Sequence, residues 1–186
     1  MQHYFSVLFL FIVNITVGNA QHFELEKVSI ADGNLDNVYR IDEGVYRSEQ
    51  PNSKDFKLLE KYGIKEVLNL RRWHSDNDEA EETSLTLHRI KTNAHSLSMD
   101  EIIEALRVIK NRQGPILIHC KHGSDRTGAV IAMYRIIFQN VSKEKAIEEM
   151  CNGGFGFHRI YRNIVRRISK ADIDLIRRKL EIDTAL

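Results

Sequence analysis

The stretch Pro115-Ile116-Leu117-Ile118-His119-Cys120-Lys121-His122-Gly123-Ser124-Asp125-Arg126-Thr127-Gly128 narrows the possible architectures of this chain more than any other. Ile116 to Ile118 is an aliphatic run behind Gly114-Pro115 and reads as a short buried strand. From Arg126 onward, Ala129, Val130, Ala132, Met133, Ile136 and Ile137 recur at helical spacing. Cys120 is therefore expected just past the C-terminal end of a strand, and Arg126 in the first turn of a helix. The loop between them must curl back on itself. Gly123 supplies the backbone freedom for that curl, and Gly128 predicts a close approach of the helix to the sheet.

A loop of this kind aims successive backbone N–H groups into one concavity at a helix N-terminus, which makes an anion site. A tetrahedral phosphate dianion fits it. Arg126 can hold two of the phosphate oxygens in a bidentate fork, which a lysine could not do. The same amides, the helix dipole and Arg126 also stabilise a thiolate on Cys120. Thr127 can donate its hydroxyl to that sulfur, and His119 is expected to orient the loop backbone without acting as a base. The chemistry that follows is nucleophilic displacement at phosphorus: Cys120 attacks, and water hydrolyses the resulting thiophosphoryl enzyme. It rests on positioning and charge stabilisation and calls for no metal and no cofactor.

The residues resemble the cysteine-dependent protein tyrosine phosphatases, dual-specificity branch, whose signature is H-C-x5-R-[ST]-G. Val45-Tyr46-Arg47-Ser48-Glu49-Gln50-Pro51 is similar to the opening segment of the atypical plant, fungal and bacterial members. Val67-Leu68-Asn69-Leu70-Arg71 resembles their "NLR" strand end, and Gly153-Gly154-Phe155-Gly156-Phe157-His158 resembles a segment of bacterial relatives. The likeness spans about residues 36 to 170. It implies a phosphatase-like fold, a phosphorylated protein or an inositol phosphate as substrate, and phosphate contacts from Lys121, His122, Gly123, Ser124 and Thr127. Arg71, at a strand end, reads either as a substrate contact or as a member of a structural ion pair.

One departure stands out. Most of the family carries an aspartate general acid on an upstream loop, but here Trp73 is followed by His74 and no W-P-D sequence occurs. Asp125 matches the C-x-x-G-x-D-R variant of some relatives, in which that aspartate is a proposed acid. Asp100 lies twenty residues before Cys120, close to where the missing loop would fall. Each has a plainer reading. Asp125 can tether Arg126 or cap the helix, and Ser98-Met99-Asp100-Glu101 reads as a capping box. A carboxylic acid donor predicts activity that peaks below neutral pH.

The remainder predicts an α/β fold. It is a single domain at 186 residues, with a central, mainly parallel sheet flanked by helices. Val38 to Ile41 and Val45 to Arg47 read as a hairpin. Ser53 to Tyr62 reads as a helix ended by Gly63, and Ile64 to Leu70 as a strand. Arg72 to Thr83 is a polar loop whose acidic run from Asp76 to Glu82 argues against burial. Leu85 to Ile90 is expected to be a strand. Ser98 to Asn111 is expected to be a helix burying Ile102, Ile103, Leu106 and Ile109. Ser142 to Cys151 and one or two further helices complete the chain. Ligands of such sheets bind beyond the strands' carboxyl ends, so Cys120 and Arg71 can share one mouth.

Residues 4 to 13 are apolar, and Val17-Gly18-Asn19-Ala20 ends the run with small residues. Residues 1–20 thus read as a signal peptide, and 21–186 as an exported, periplasmic or secreted, domain. The run is too short to span a bilayer, and no stable membrane anchor is expected. Net charge is +1, and no nucleic-acid partner is expected. Two cysteines exclude a disulfide scaffold; Cys151 reads as a small buried residue at a helix end, with a reversible disulfide to Cys120 as the alternative. Arg159 to Lys179 holds eight basic and two acidic residues, either a solvated helix face or a positive field that draws in anions. Two other functional classes fit the loop: a phosphate-binding module without turnover, and a sulfur or arsenate enzyme.

Overall fold

The computed structural model describes residues 25–30 and 33–182, so the expected leader at residues 1–20 lies outside the described residues. Among the described residues, six strands form one sheet: β1 (Glu26–Lys27), β2 (Tyr39–Asp42), β3 (Val45–Ser48), β4 (Glu66–Arg71), β5 (Thr86–Thr92) and β6 (Ile116–His119). Their order is β1-β2-β3-β6-β4-β5. β1, β2 and β3 are antiparallel neighbours, and β3, β6, β4 and β5 pair in parallel. The helices are α1 (Ser53–Tyr62), α2 (Met99–Lys110), α3 (Asp125–Phe138), α4 (Lys143–Asn152), α5 (Arg162–Ser169) and α6 (Ile173–Lys179).

Local chemistry sets the helix ends. Asn52 accepts from the amides of Lys54 and Asp55, while Asp55 accepts from the Asn52 amide, closing a capping box on α1. Gly63 stops the helix at φ 110°. Ser98 and Glu101 form the same device on α2, and the four predicted apolar residues of that helix are buried.

The central strands show the period-2 alternation of a sheet covered on both faces. Ile116, Ile118, Leu68 and Leu70 face the larger core, packed with α2 and α3 residues. Leu117 and Val67 face a smaller one with Phe56 and Leu59 of α1. α3 is buried nearly all round, as a helix wedged between the sheet and α4 to α6 must be. Gly128 on it meets the Met150 side chain of α4, 3.1 Å from where a Cβ would stand. Its close approach is therefore to a helix and not to the sheet. The 72–83 segment is irregular as expected, but Asp76 and Ala80 within it are buried, against the reading of the acidic run. β6 is central, with β3 on one side and β4 on the other, so the ends of β4 and β6 open on one side of the sheet.

Candidate active site

The segment from Cys120 to Ser124 connects β6 to α3 and is held from outside itself. The Cys120 carbonyl lies 3.1 Å from His119 Nδ1, and the Gln50 amide donates to the Lys121 carbonyl at 3.2 Å. Asn37 Nδ2 donates to the His122 carbonyl at 3.0 Å, and Arg47 Nη2 donates to the Gly123 carbonyl. Four consecutive carbonyls thus point outward, which turns the intervening N–H groups toward the opposite side. Gly123 makes the curl possible at φ +68°, where a Cβ would stand 2.5 Å from the Ser48 carbonyl oxygen. Ser124 occupies the N-cap of α3 without a side-chain cap bond, so the first-turn amides of that helix keep their capacity for an anion.

Behind the loop lies a buried polar network. His119 is fully buried, and its Nε2 is 2.9 Å from Asp76 Oδ2. Asp76 Oδ1 accepts from Gln50 and Asn69 at 2.9 Å each. Burial alone would raise the Asp76 pKa, but the hydrogen bonds and charges of His119, Gln50 and His74 hold it below the ordinary value. Arg47 is 1 % exposed, and its guanidinium stacks 4.0 Å from the centre of the Phe155 ring. Burial lowers its pKa to about 10, an effect that the nearby Cys120 partly offsets, so it stays protonated at neutral pH. Neither Asp76 nor Arg47 emerged from the sequence as a site residue. Asp76 was hidden in an acidic run, while Arg47 stood in a segment read as a hairpin strand and as part of the resemblance.

In front of the loop, Arg71, Arg72, Trp73, Thr92, Asn93, Ala94, Lys121, Arg126 and Tyr161 line a cavity of about 250 Å³. Arg126 donates to the carbonyls of Leu70 and Thr92 at 3.2 and 3.4 Å, which ties it to the ends of β4 and β5. Arg71 donates to Gln50 Oε1 at 3.0 Å, and burial, then the facing Arg126, lowers its pKa. Trp73 is 87 % exposed at the rim. Cys120 is 2 % exposed and free. The structure therefore brings together Arg71, Lys121 and Arg126, beside Cys120.

The two candidate acids have other partners. Asp125 accepts at 2.8 Å from the His158 amide, and its other oxygen is 2.9 Å from His158 Nδ1. Asp100, with an 86 % exposed side chain, pairs with Lys179 at 3.1 Å. Neither they nor any other carboxylate is among the cavity's lining residues. His122 is exposed, with its ring 5.8 Å from that of His158. Ser124 turns its hydroxyl to the His122 carbonyl. The Thr127 hydroxyl is buried and unpaired, so the expected bond to the Cys120 sulfur is not formed. Among the described residues, only His74, Asp76 and Glu79 bring three potential metal-ligand atoms within 4.8 Å of one another. Asp76 is already engaged by three donors there, and the Arg71 charge acts on both carboxylates.

The description "Dual specificity phosphatase, catalytic domain" matches residues 45–169, and the chain belongs to that family. The dual specificity protein phosphatase TpbA of Pseudomonas aeruginosa is 36 % identical over 145 residues, 76 % of this chain and 65 % of that protein. Inositol diphosphatase DSP3 of Arabidopsis thaliana is 29 % identical over 108 residues, 53 % of each chain. The chain thus spans less than two thirds of the length of either curated relative. The crystal structure of P. aeruginosa TpbA has a TM-score of 0.74 at 32 % identity, covering 84 % of this chain and 96 % of that one. The catalytic core of the S. cerevisiae PP-IP phosphatase SIW14 gives 0.66 at 26 % identity, covering 78 % and 91 %.

Proposed function

We propose that this protein is a phosphomonoester hydrolase, a protein tyrosine or dual-specificity phosphatase working through a cysteinyl-phosphate intermediate. The observation that carries this reading is the outward bonding of the carbonyls from Cys120 to Gly123, which leaves their amides to form a cradle in front of the α3 N-terminus. The Cys120 sulfur attacks phosphorus as the bond to the leaving oxygen breaks, and that oxygen takes up a proton. Water then attacks the phosphocysteine and releases phosphate, returning the thiolate. Arg126 and the cradle amides hold the three equatorial oxygens through both steps.

A second reading, an inositol diphosphatase, is supported by the charge of the cavity. Arg71, Arg72, Lys121 and Arg126 line it without a carboxylate. A leaving group that departs as a phosphate anion needs less help from an acid than an alcohol does, and several cations suit a polyanion. We further propose that the protein is exported, on the strength of the apolar run at residues 4 to 13 and the small residues that end it.

Turnover of para-nitrophenyl phosphate by the wild type and by Cys120→Ser, Asp125→Asn and Asp100→Asn tests the catalytic reading. Wild-type turnover that Cys120→Ser abolishes is the expected result, and an inactive wild type would favour a phosphate-binding module. With Asp125 engaged by His158 and Asp100 by Lys179, both Asn variants should keep the wild-type pH profile. Loss of the acidic limb in either one would instead identify the proton donor. Phosphotyrosine peptides compared with inositol diphosphates then decide between the two substrate classes.

A further inference from the structure

A second concavity lies on the other side of the segment that borders the active site. It measures about 710 Å³ and is lined by Cys151, Phe157 and Val165 together with Arg159, Arg162 and Arg166. No aspartate or glutamate lines it, and among the described residues no carboxylate pairs with any of the three arginines. The cations of α6 are spent differently: Arg177 bonds Asn140 and Lys179 pairs with Asp100. Unpaired guanidiniums gathered over an apolar floor form a strong anion-attracting field with room for side chains.

This groove adjoins the active site along the chain. Tyr161 lines the catalytic cavity, and Arg162, the next residue, lines the groove. His158, between Phe157 and Arg159 of the groove, holds Asp125 at the start of α3. One short segment thus serves as the wall of both.

We propose that the groove binds an acidic stretch flanking the phosphorylated residue of a phosphoprotein substrate, which rests on the phosphatase reading above. A peptide seated with its phosphate on Arg126 passes over the 158–162 wall on an extended backbone at about 3.3 Å per residue. Its acidic side chains then meet Arg159, Arg162 and Arg166, and its apolar atoms rest on Phe157 and Val165. The charges lie outside the cavity and act on binding rather than on chemistry, so their effect falls on KM and leaves kcat alone.

The test compares two phosphotyrosine peptides, one with glutamates flanking the phosphoresidue and one with glutamines at the same places. Wild-type kcat/KM should favour the acidic peptide by about tenfold, the combined effect expected of a few partly exposed ion pairs. Raising salt to 0.5 M should erase the preference. Arg162→Glu with Arg166→Glu should also remove it through KM, with para-nitrophenyl phosphate turnover kept within twofold as proof of an intact fold. Equal use of both peptides by the wild type would overturn the proposal, as would a preference that survives both salt and charge reversal. Binding of phosphatidylglycerol vesicles without any peptide preference would also overturn it and assign the groove to a lipid surface. An inactive wild type on para-nitrophenyl phosphate would instead remove the phosphatase reading itself.

Discussion

The two sides of the catalytic loop are built on opposite terms. Toward the cavity stand Arg71, Arg72, Lys121 and Arg126, like charges gathered with no carboxylate among the lining residues. On the far side, Asp76 takes three hydrogen bonds, and Arg47 binds the Gly123 carbonyl. The difference teaches where the rigidity of the site comes from. Held from behind by buried bonds, the loop can keep positive charge unneutralised in front without collapsing onto an internal partner. An anion then meets dipoles and charges already in place and costs little reorganisation.

Substitutions on the two sides should therefore fail in different ways. Arg126→Lys removes the fork from the front, and kcat/KM should fall by about 10³-fold with the thermal midpoint nearly unchanged. Loss of stability on the same scale would mean that Arg126 is a structural anchor of β4 and β5 and not an anion clamp. Arg47→Met removes a buried cation from the rear. Since a hydrophobe of similar volume often replaces a buried charge at little cost, stability should stay within about 2 kcal/mol. Turnover should nevertheless drop by about 10- to 100-fold, because the Gly123 carbonyl loses its donor and Cys120 a neighbouring charge. Steady-state kinetics beside urea unfolding separate the two quantities, and unchanged kcat in Arg47→Met would break the comparison.

Asp76 gives a smaller, pH-dependent effect. Its folded pKa lies below the ordinary carboxylate value, so its stabilisation is present above about pH 4. It is lost as pH falls below that value and through the folded pKa. Wild-type urea midpoints should therefore fall below about pH 4, and Asp76→Asn should be less stable at neutral pH with a flatter acid limb. A variant with the same acid limb as the wild type would show that Asp76 does not anchor His119 as a charge.

Much of this arrangement was legible in the sequence wherever the signal was local. The ends of α1 follow from Asn52, Asp55 and Gly63, whose capping geometry needs only neighbouring residues. Gly123 was readable for the same reason, since the turn between a strand and a helix needs a positive φ. The rear network was not legible. Asp76 is buried by Gln50, Asn69 and His119, which lie 26, 7 and 43 residues away, and nothing in its own acidic surroundings signals them. Asp100 illustrates the converse: proximity in sequence to the catalytic strand says nothing about direction, and α2 turns it toward Lys179 on α6. Gly128 was rightly read as a point of close contact, but its neighbour, Met150, comes from an element 22 residues away.

The central claim is that the backbone amides from Lys121 to Arg126 form a cradle pre-shaped from behind. Titrating inorganic phosphate into the isotope-labelled Cys120→Ser protein, with backbone amide shifts followed by NMR, tests it directly. The account predicts saturable shifts concentrated on the amides of residues 121 to 126, with an affinity at least tenfold weaker when Arg47→Met is added. Shifts spread over the surface arginines with those six amides unmoved, or an affinity indifferent to Arg47, would contradict it.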